Sequence, residues 1–260
     1  MRTLVAATIL SACLGLPAHA QWMKYPNAGI PRLADNSPDL QAPAPRTPDG
    51  TVDLSGIWVR RDNRYLQDIG ADIGELPMQP WAKAVYQERL DNLGKDRPAG
   101  RCLPRSLPSA MMIRDVPFKI LPAFPGTVVI LFEQYQEYRQ IFTDGRTFTA
   151  NLQAEPDRNP TWWGYSVGRW DGNAFVVETV GFNDKTWLDD RGHPHTEAMR
   201  VTERYRRPTF GRLEIEFTFD DPKAYAKPWT VLVPFELMPD QELIEHVCEN
   251  EKDQPHLVGK

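Results

Sequence analysis

The chain has 260 residues, 41% of them hydrophobic and 25% charged, with a formal net charge of −5 and an isoelectric point near 5.6. An acidic balance of this kind argues against a nucleic-acid partner, because phosphate binding wants a basic face. Past the first twenty residues, no stretch approaches the ~20 apolar residues that a membrane helix needs.

Residues 1–20 read as a secretion signal: Arg2, an apolar run from Leu4 to Leu16, then Ala18-His19-Ala20 as a small-x-small cleavage site. Leu10-Ser11-Ala12-Cys13 also spells a lipoprotein box, which would make Cys13 a lipid anchor, although the apolar run before it is very short. Both readings place the mature chain in the periplasm or outside the cell. Residues 21–52 form a proline-rich, polar lead without periodicity, expected to be an extended arm. Residues 53–260 are expected to be one β domain.

Asp53 to Trp58 reads as the first strand. Its Gly56-x-Trp58 resembles the opening of lipocalin-type barrels, in which the tryptophan plugs one end. The spacing of Trp81, Ala84, Val85 and Leu90 predicts a helix near 79–93, with Pro80 in its first turn and Gly94 as its stop. A second proline-rich stretch, 98–125, carries apolar groups and is expected to pack along the domain. From Thr127 the pattern is nearly all strand. Thr127–Phe132 and Tyr138–Phe142 pair. Gly164–Trp170 turns at Asp171-Gly172 into 173–180. Leu213, Ile215, Phe217 and Phe219 alternate with polar residues, and 229–237 and Leu243–Cys248 follow. Some eight to ten strands in sequential hairpins predict a mainly β fold, an antiparallel up-and-down barrel of lipocalin-like architecture.

With Cys13 removed, Cys102 and Cys248 remain. In an oxidising compartment the pair reads as a disulfide, the alternative being two buried free thiols.

The loop from Gly181 to Thr196 is long for a connection between strands, and such loops are often functional. It carries His193 and His195, with Glu197 beyond, and Glu203 shares the parity of His195 on the next strand. His195 with one of these carboxylates would suit general acid–base chemistry. His193, His195 and a carboxylate would be a possible zinc set, but two histidines flanking a proline make a poor metal signal, and no cofactor is predicted. Glu133 and Arg139 flank the turn of the first long hairpin and Arg146 follows the next turn, a candidate clamp for an anion or carboxylate. Trp162, Trp163, Tyr165 and Trp170 cluster in sequence, and with Trp187 they are candidates to line a pocket for a flat ligand. Each of these residues also has an ordinary structural role open to it: a loop histidine bound to a strand, a salt bridge at a rim, an aromatic filling the barrel. Gly164-Tyr165-Ser166-Val167-Gly168 spells the hydrolase nucleophile pattern. A nucleophile elbow needs a strand-to-helix turn, however, and this serine lies within a hairpin strand.

The segments GYSVGRWDG, GFNDKTWLDD, HTEAMRVTERYRR and DDPKAYAKPWT together resemble a family of secreted bacterial proteins, over roughly residues 102–251. The resemblance implies a secreted domain and no particular reaction. Two functions fit the sequence. One is a binding barrel for a small aromatic or amphipathic molecule. The other is a small lyase, isomerase or hydrolase using His195 with Glu133, Arg139 or Glu203. They differ in one geometric respect: the enzyme needs His195, a carboxylate and an arginine to converge in one pocket.

Overall fold

The structure, a computed structural model, describes residues 26–148 and 159–248. The expected signal segment and Cys13 lie outside the described residues. Nine strands follow in chain order: β1 (Gly56–Val59), β2 (Phe118–Phe124), β3 (Thr127–Phe132), β4 (Tyr138–Phe142), β5 (Tyr165–Asp171), β6 (Ala174–Val180), β7 (Arg200–Thr209), β8 (Arg212–Asp220) and β9 (Trp229–Leu237). They close into a barrel in that order, with β9 paired back onto β1. The mainly β, lipocalin-like barrel expected from the alternation is therefore borne out.

Every strand contact is antiparallel except β4 with β5. An odd ring requires this, since nine strands cannot alternate direction all the way round. The parallel contact is short, with only Ile141↔Ser166 and Phe142↔Val167 in register. The longest ladders, β7–β8 and β8–β9, belong to the cleanest alternation in the sequence.

Two segments depart from expectation. Part of the second proline-rich stretch enters the barrel as β2, and its Pro122 is accommodated where the β2–β3 register shifts. Leu243–Cys248 is not a strand; it makes a single bridge, Gln134↔His246. The reason is closure: β1 already occupies the free edge of β9, so no edge remains for a tenth strand.

Inward-facing side chains fill the barrel, as a ring of this size allows. Trp58, Phe118, Phe132, Ile141, Val177, Tyr205, Ile215, Phe217 and Phe235 are all buried there. Trp58 is fully buried, donates from Nε1 to the Leu54 carbonyl at 3.1 Å and lies under the Arg207 guanidinium.

The two ends of the barrel are covered differently. The arm crosses one end: the Phe210 and Gly211 amides donate to the Ala42 and Leu40 carbonyls, and Arg207 donates to the Asp53 and Ser55 carbonyls. The other end carries a layer built from helix α1 (Arg64–Gln67), helix α2 (Pro80–Asp91), 3-10 turns at Pro98–Arg101 and Ser109–Met111, and the 181–199 loop. The Asp190 amide donates to the Leu66 carbonyl, and the Gln79 amide to that of Ala224. Cys102 and Cys248 form a disulfide, tying this layer to the segment after β9.

Candidate functional site: a barrel mouth and an opening in its wall

Three groupings of polar or aromatic side chains stand out. The first is inside the barrel. Arg139 on β4 points inward and is only 2% exposed. Its guanidinium grips the Glu203 carboxylate on β7 with two prongs, Nη1 to Oε1 at 2.9 Å and Nη2 to Oε2. Nε donates to Ser166 Oγ at 3.1 Å, and Nη2 also reaches Thr179 Oγ1 at 2.8 Å. The Tyr205 hydroxyl donates to Glu203 at 2.6 Å. Burial opposes the charge on Arg139, but Glu203 opposite it prevails and raises its pKa. Burial, then the Glu203 charge, pushes the Tyr205 phenol far up. Four adjacent strands thus supply a closed polar network with no water needed to complete it.

This network joins two residues the sequence singled out, Arg139 and Glu203, and leaves out two others. Glu133 accepts the Ile244 amide at 3.0 Å and anchors the segment after β9. His195 lies in the layer, 4% exposed, with Nε2 at 2.7 Å from Thr186 Oγ1 and Nδ1 near the Thr196 carbonyl. Burial lowers its pKa, so it is neutral at neutral pH. Glu197 is exposed. Among the described residues His195 hydrogen-bonds to no carboxylate and lines neither of the clefts described below; Asp221 and Arg89 act on it through their charge. Inward parity marks Ser166, Thr179 and Tyr205 as polar groups on the core face, a signal the sequence carries that points to this network.

The second grouping is in the same layer. His193, not His195, has a carboxylate partner. Its Nδ1 lies 2.5 Å from Asp189 Oδ2, and its ring stacks on Tyr86 at 4.2 Å. Asp68, Asp189 and His193 bring ligand atoms within 4.8 Å of one another, a set able to hold a cation. Both aspartates already have protein partners. Asp189 accepts the amides of Ile69, Gly192 and His193, and Asp68 accepts the Gly70 amide and pairs with Arg191. These bonds fix the 189–193 loop against α1. The expected pair of histidines is split between two networks. Trp187 is also in this layer, buried beneath the Arg89 guanidinium at 4.4 Å.

The third grouping comprises two clefts. At the arm end, inward-facing Ile120, Pro122, Val128, Trp170 and Phe175 form the last layer of the barrel interior, with Ile120 and Phe175 buried in the core. They line a cavity of about 400 Å³, whose opposite wall is arm residues 47–55, including Val52 and Leu54. Trp170 is 38% exposed and packs against Phe175 at 5.3 Å. In the barrel wall, between β4 and β5, a second cleft of about 610 Å³ is lined by Glu137, Arg139, Trp163, Tyr165 and Ser166 among others. Arg146 at its rim pairs with Asp144 and bonds the Tyr165 hydroxyl, so it is a rim ion pair more than a clamp. The aromatic cluster of the sequence is thus divided, Trp170 to the mouth and Trp163 with Tyr165 to the wall, because the β5 chain carries them to opposite ends.

The chain shows no significant match to any protein-family model, curated protein or solved structure, so the chemistry of these clefts is read from their own side chains.

Proposed function

We propose that this protein is a periplasmic or secreted binding protein for a small aromatic or amphipathic molecule, held in the mouth of the barrel under the arm. One observation carries the reading: core-facing positions of β2, β3, β5 and β6 line a cavity at the barrel mouth, and Pro48, Val52 and Leu54 of the opposite segment add apolar groups among polar ones. Its volume, near 400 Å³, lies in the range of small-ligand sites, which are mostly apolar with a few polar groups to orient the ligand. Ser55 offers a hydroxyl for that purpose, while the Thr47 and Thr51 hydroxyls are held by Asp49. His195 lines neither cleft, and its hydrogen-bond partners are a hydroxyl and a backbone carbonyl instead of a carboxylate, which favours binding over acid–base catalysis. The disulfide and the signal-like first twenty residues support an oxidising compartment. Among the described residues, no helix is long and apolar enough to cross a membrane.

The test is a fluorescence titration of the secreted chain with phenolics, fatty acids and sugars. A phenolic or fatty acid is expected to quench tryptophan emission. Trp170→Ala is expected to weaken that ligand at least tenfold, about 1.4 kcal/mol, while His195→Gln leaves it unchanged. Equal affinity in Trp170→Ala and the parent chain would place the ligand elsewhere.

A further inference from the structure

The one parallel contact in the ring is also one of its two shortest seams, with two residue pairs in register, as between β1 and β9. Beyond Ile141↔Ser166, toward the layer end, β4 and β5 part. Gly164 sits at the separation with φ +64°, and a Cβ there would lie 2.8 Å from the Val180 carbonyl oxygen, so the chain turns away by a route only glycine follows easily. The opening is the wall cleft. Its floor is electrically settled, because Arg139 is bound by Glu203. On its wall is the half-buried Glu137, whose carboxylate takes no hydrogen bond and no ion pair among the described residues. Of the other carboxylates of the barrel, Glu203 is answered by Arg139 and Tyr205, Glu133 by the Ile244 amide, and Glu178 by Arg169 and Arg200; half-buried Glu216 on β8 also takes no hydrogen bond or ion pair among the described residues, but it lines neither cleft.

We propose that this cleft is a second binding site, and that it takes a small organic cation, with the Glu137 carboxylate as counter-ion and the rings of Tyr138 and Trp163 beside it. A neutral sugar would also suit a lining of aromatics and amides. It would leave the carboxylate without an opposite charge, and a half-buried carboxylate is costly in that state. A cation removes that cost, and aromatic faces attract it further. Gln136 and Gln140 add carbonyl acceptors for its N–H groups. Burial alone pushes the Glu137 pKa up to about 7. The charged neighbours are balanced: Arg139 by Glu203, Arg146 by Asp144. Tyr135, next in the loop, donates its hydroxyl to the Ala99 carbonyl and stacks on the His246 ring, Glu245 accepts from the Gln136 amide, and Tyr138 and Tyr165 complete the titratable lining. The cleft shares no lining residue with the mouth cavity, so this site and the mouth site stand or fall separately.

Benzylammonium and uncharged benzyl alcohol, titrated calorimetrically into the full secreted chain at pH 5.5 and pH 8.0, test this. A carboxyl with a pKa of about 7 is ionised about 3% at the lower pH and about 90% at the higher, so the ammonium is expected to bind about 30-fold more tightly at pH 8.0. Glu137→Gln should abolish both the binding and its pH dependence, and Trp170→Ala should leave both intact. Comparable binding of benzyl alcohol, a flat pH profile, retention in Glu137→Gln, or no binding at millimolar ammonium would each overturn the proposal. So would a Glu137 carboxyl that titrates by NMR near the ordinary glutamate value.

Discussion

At the scale of single residues, the buried charges carry most of the consequence. Arg139 and Glu203 are nearly inaccessible, so removing one leaves the other buried without an opposite charge. Arg139→Met is expected to cost about 3–5 kcal/mol, read as a fall in denaturant midpoint. Arg139→Met combined with Glu203→Leu is expected to recover much of that loss, because an apolar pair carries no desolvation penalty. A double variant as unstable as the single would mean that Ser166, Thr179 and Tyr205 depend on the pair for their own partners.

Two titrating groups act on stability with opposite pH signatures. Folded His195 resists protonation, with its pKa below the usual 6.5. The unfolded chain therefore takes up a proton first as pH falls. The His195 contribution is complete above about 6.5 and is lost below it, toward the folded pKa. His195→Gln should show a shallower loss of Tm from pH 7 to pH 5. Glu137 runs the other way. Its folded pKa of about 7 lies above the ordinary glutamate value of 4.5, so its contribution is complete below 4.5 and is lost as pH rises through 7. Glu137→Gln is expected to raise Tm at pH 8 and not at pH 4. A stabilising substitution at a partnerless group is the usual mark of a position kept for binding.

At the scale of elements, the contact of β5 with its neighbours is set by small residues. Gly168 faces inward, and a Cβ there would come within 2.5 Å of the Phe175 ring and 2.9 Å of Ile141. Neither neighbour is the free end of a flexible side chain. Gly168→Ala is expected to cost about 1–3 kcal/mol through overpacking and to disturb the Trp170–Phe175 contact in the mouth cavity, seen as altered near-ultraviolet circular dichroism. The disulfide spans 146 residues, for which the chain-entropy model gives about 4–5 kcal/mol. Cys248 follows a segment outside the barrel, however, and that segment can detach while β1 to β9 stay closed. Reduction is expected to lower stability by less than the model gives and to open residues after Leu237 to proteolysis first. A reduction that unfolds the whole barrel would show that the layer and the ring form one cooperative unit.

At the scale of the whole molecule, the ring is closed by β1 on β9 without help from the arm, which adds bridges, loop hydrogen bonds, the Arg32–Asp240 ion pair and the packing of Leu40, Ala42 and Val52 on the core. A chain beginning at Asp53 is therefore expected to keep the far-ultraviolet spectrum of a β-barrel. It should lose most of its mouth-ligand affinity, because residues 47–52 form one wall of that cavity. Loss of the fold on truncation would make the arm part of the core instead of a cover.

The sequence by itself determined what depends on short-range pattern. Alternation in Leu213–Phe219 marks a one-sided strand, Asp171-Gly172 a hairpin, and Pro80 with Trp81 to Leu90 a helix, since each is set by backbone geometry over a few residues. The pairing of the two cysteines followed from their number and the expected compartment. Tertiary structure alone decided the rest, because it depends on contacts between residues far apart in the chain. Arg139 and Glu203 are 64 residues apart, and only ring order brings β4 and β7 within reach through β5 and β6. Parity put His195 with Glu203, but the long loop folds back over the end of the barrel and places each histidine with a neighbour in that loop, His193 with Asp189 and His195 with Thr186. The parallel seam, and the opening beside Glu137 that comes with it, follow from the odd number of strands. No local pattern fixes that number, since it is a property of the closed ring.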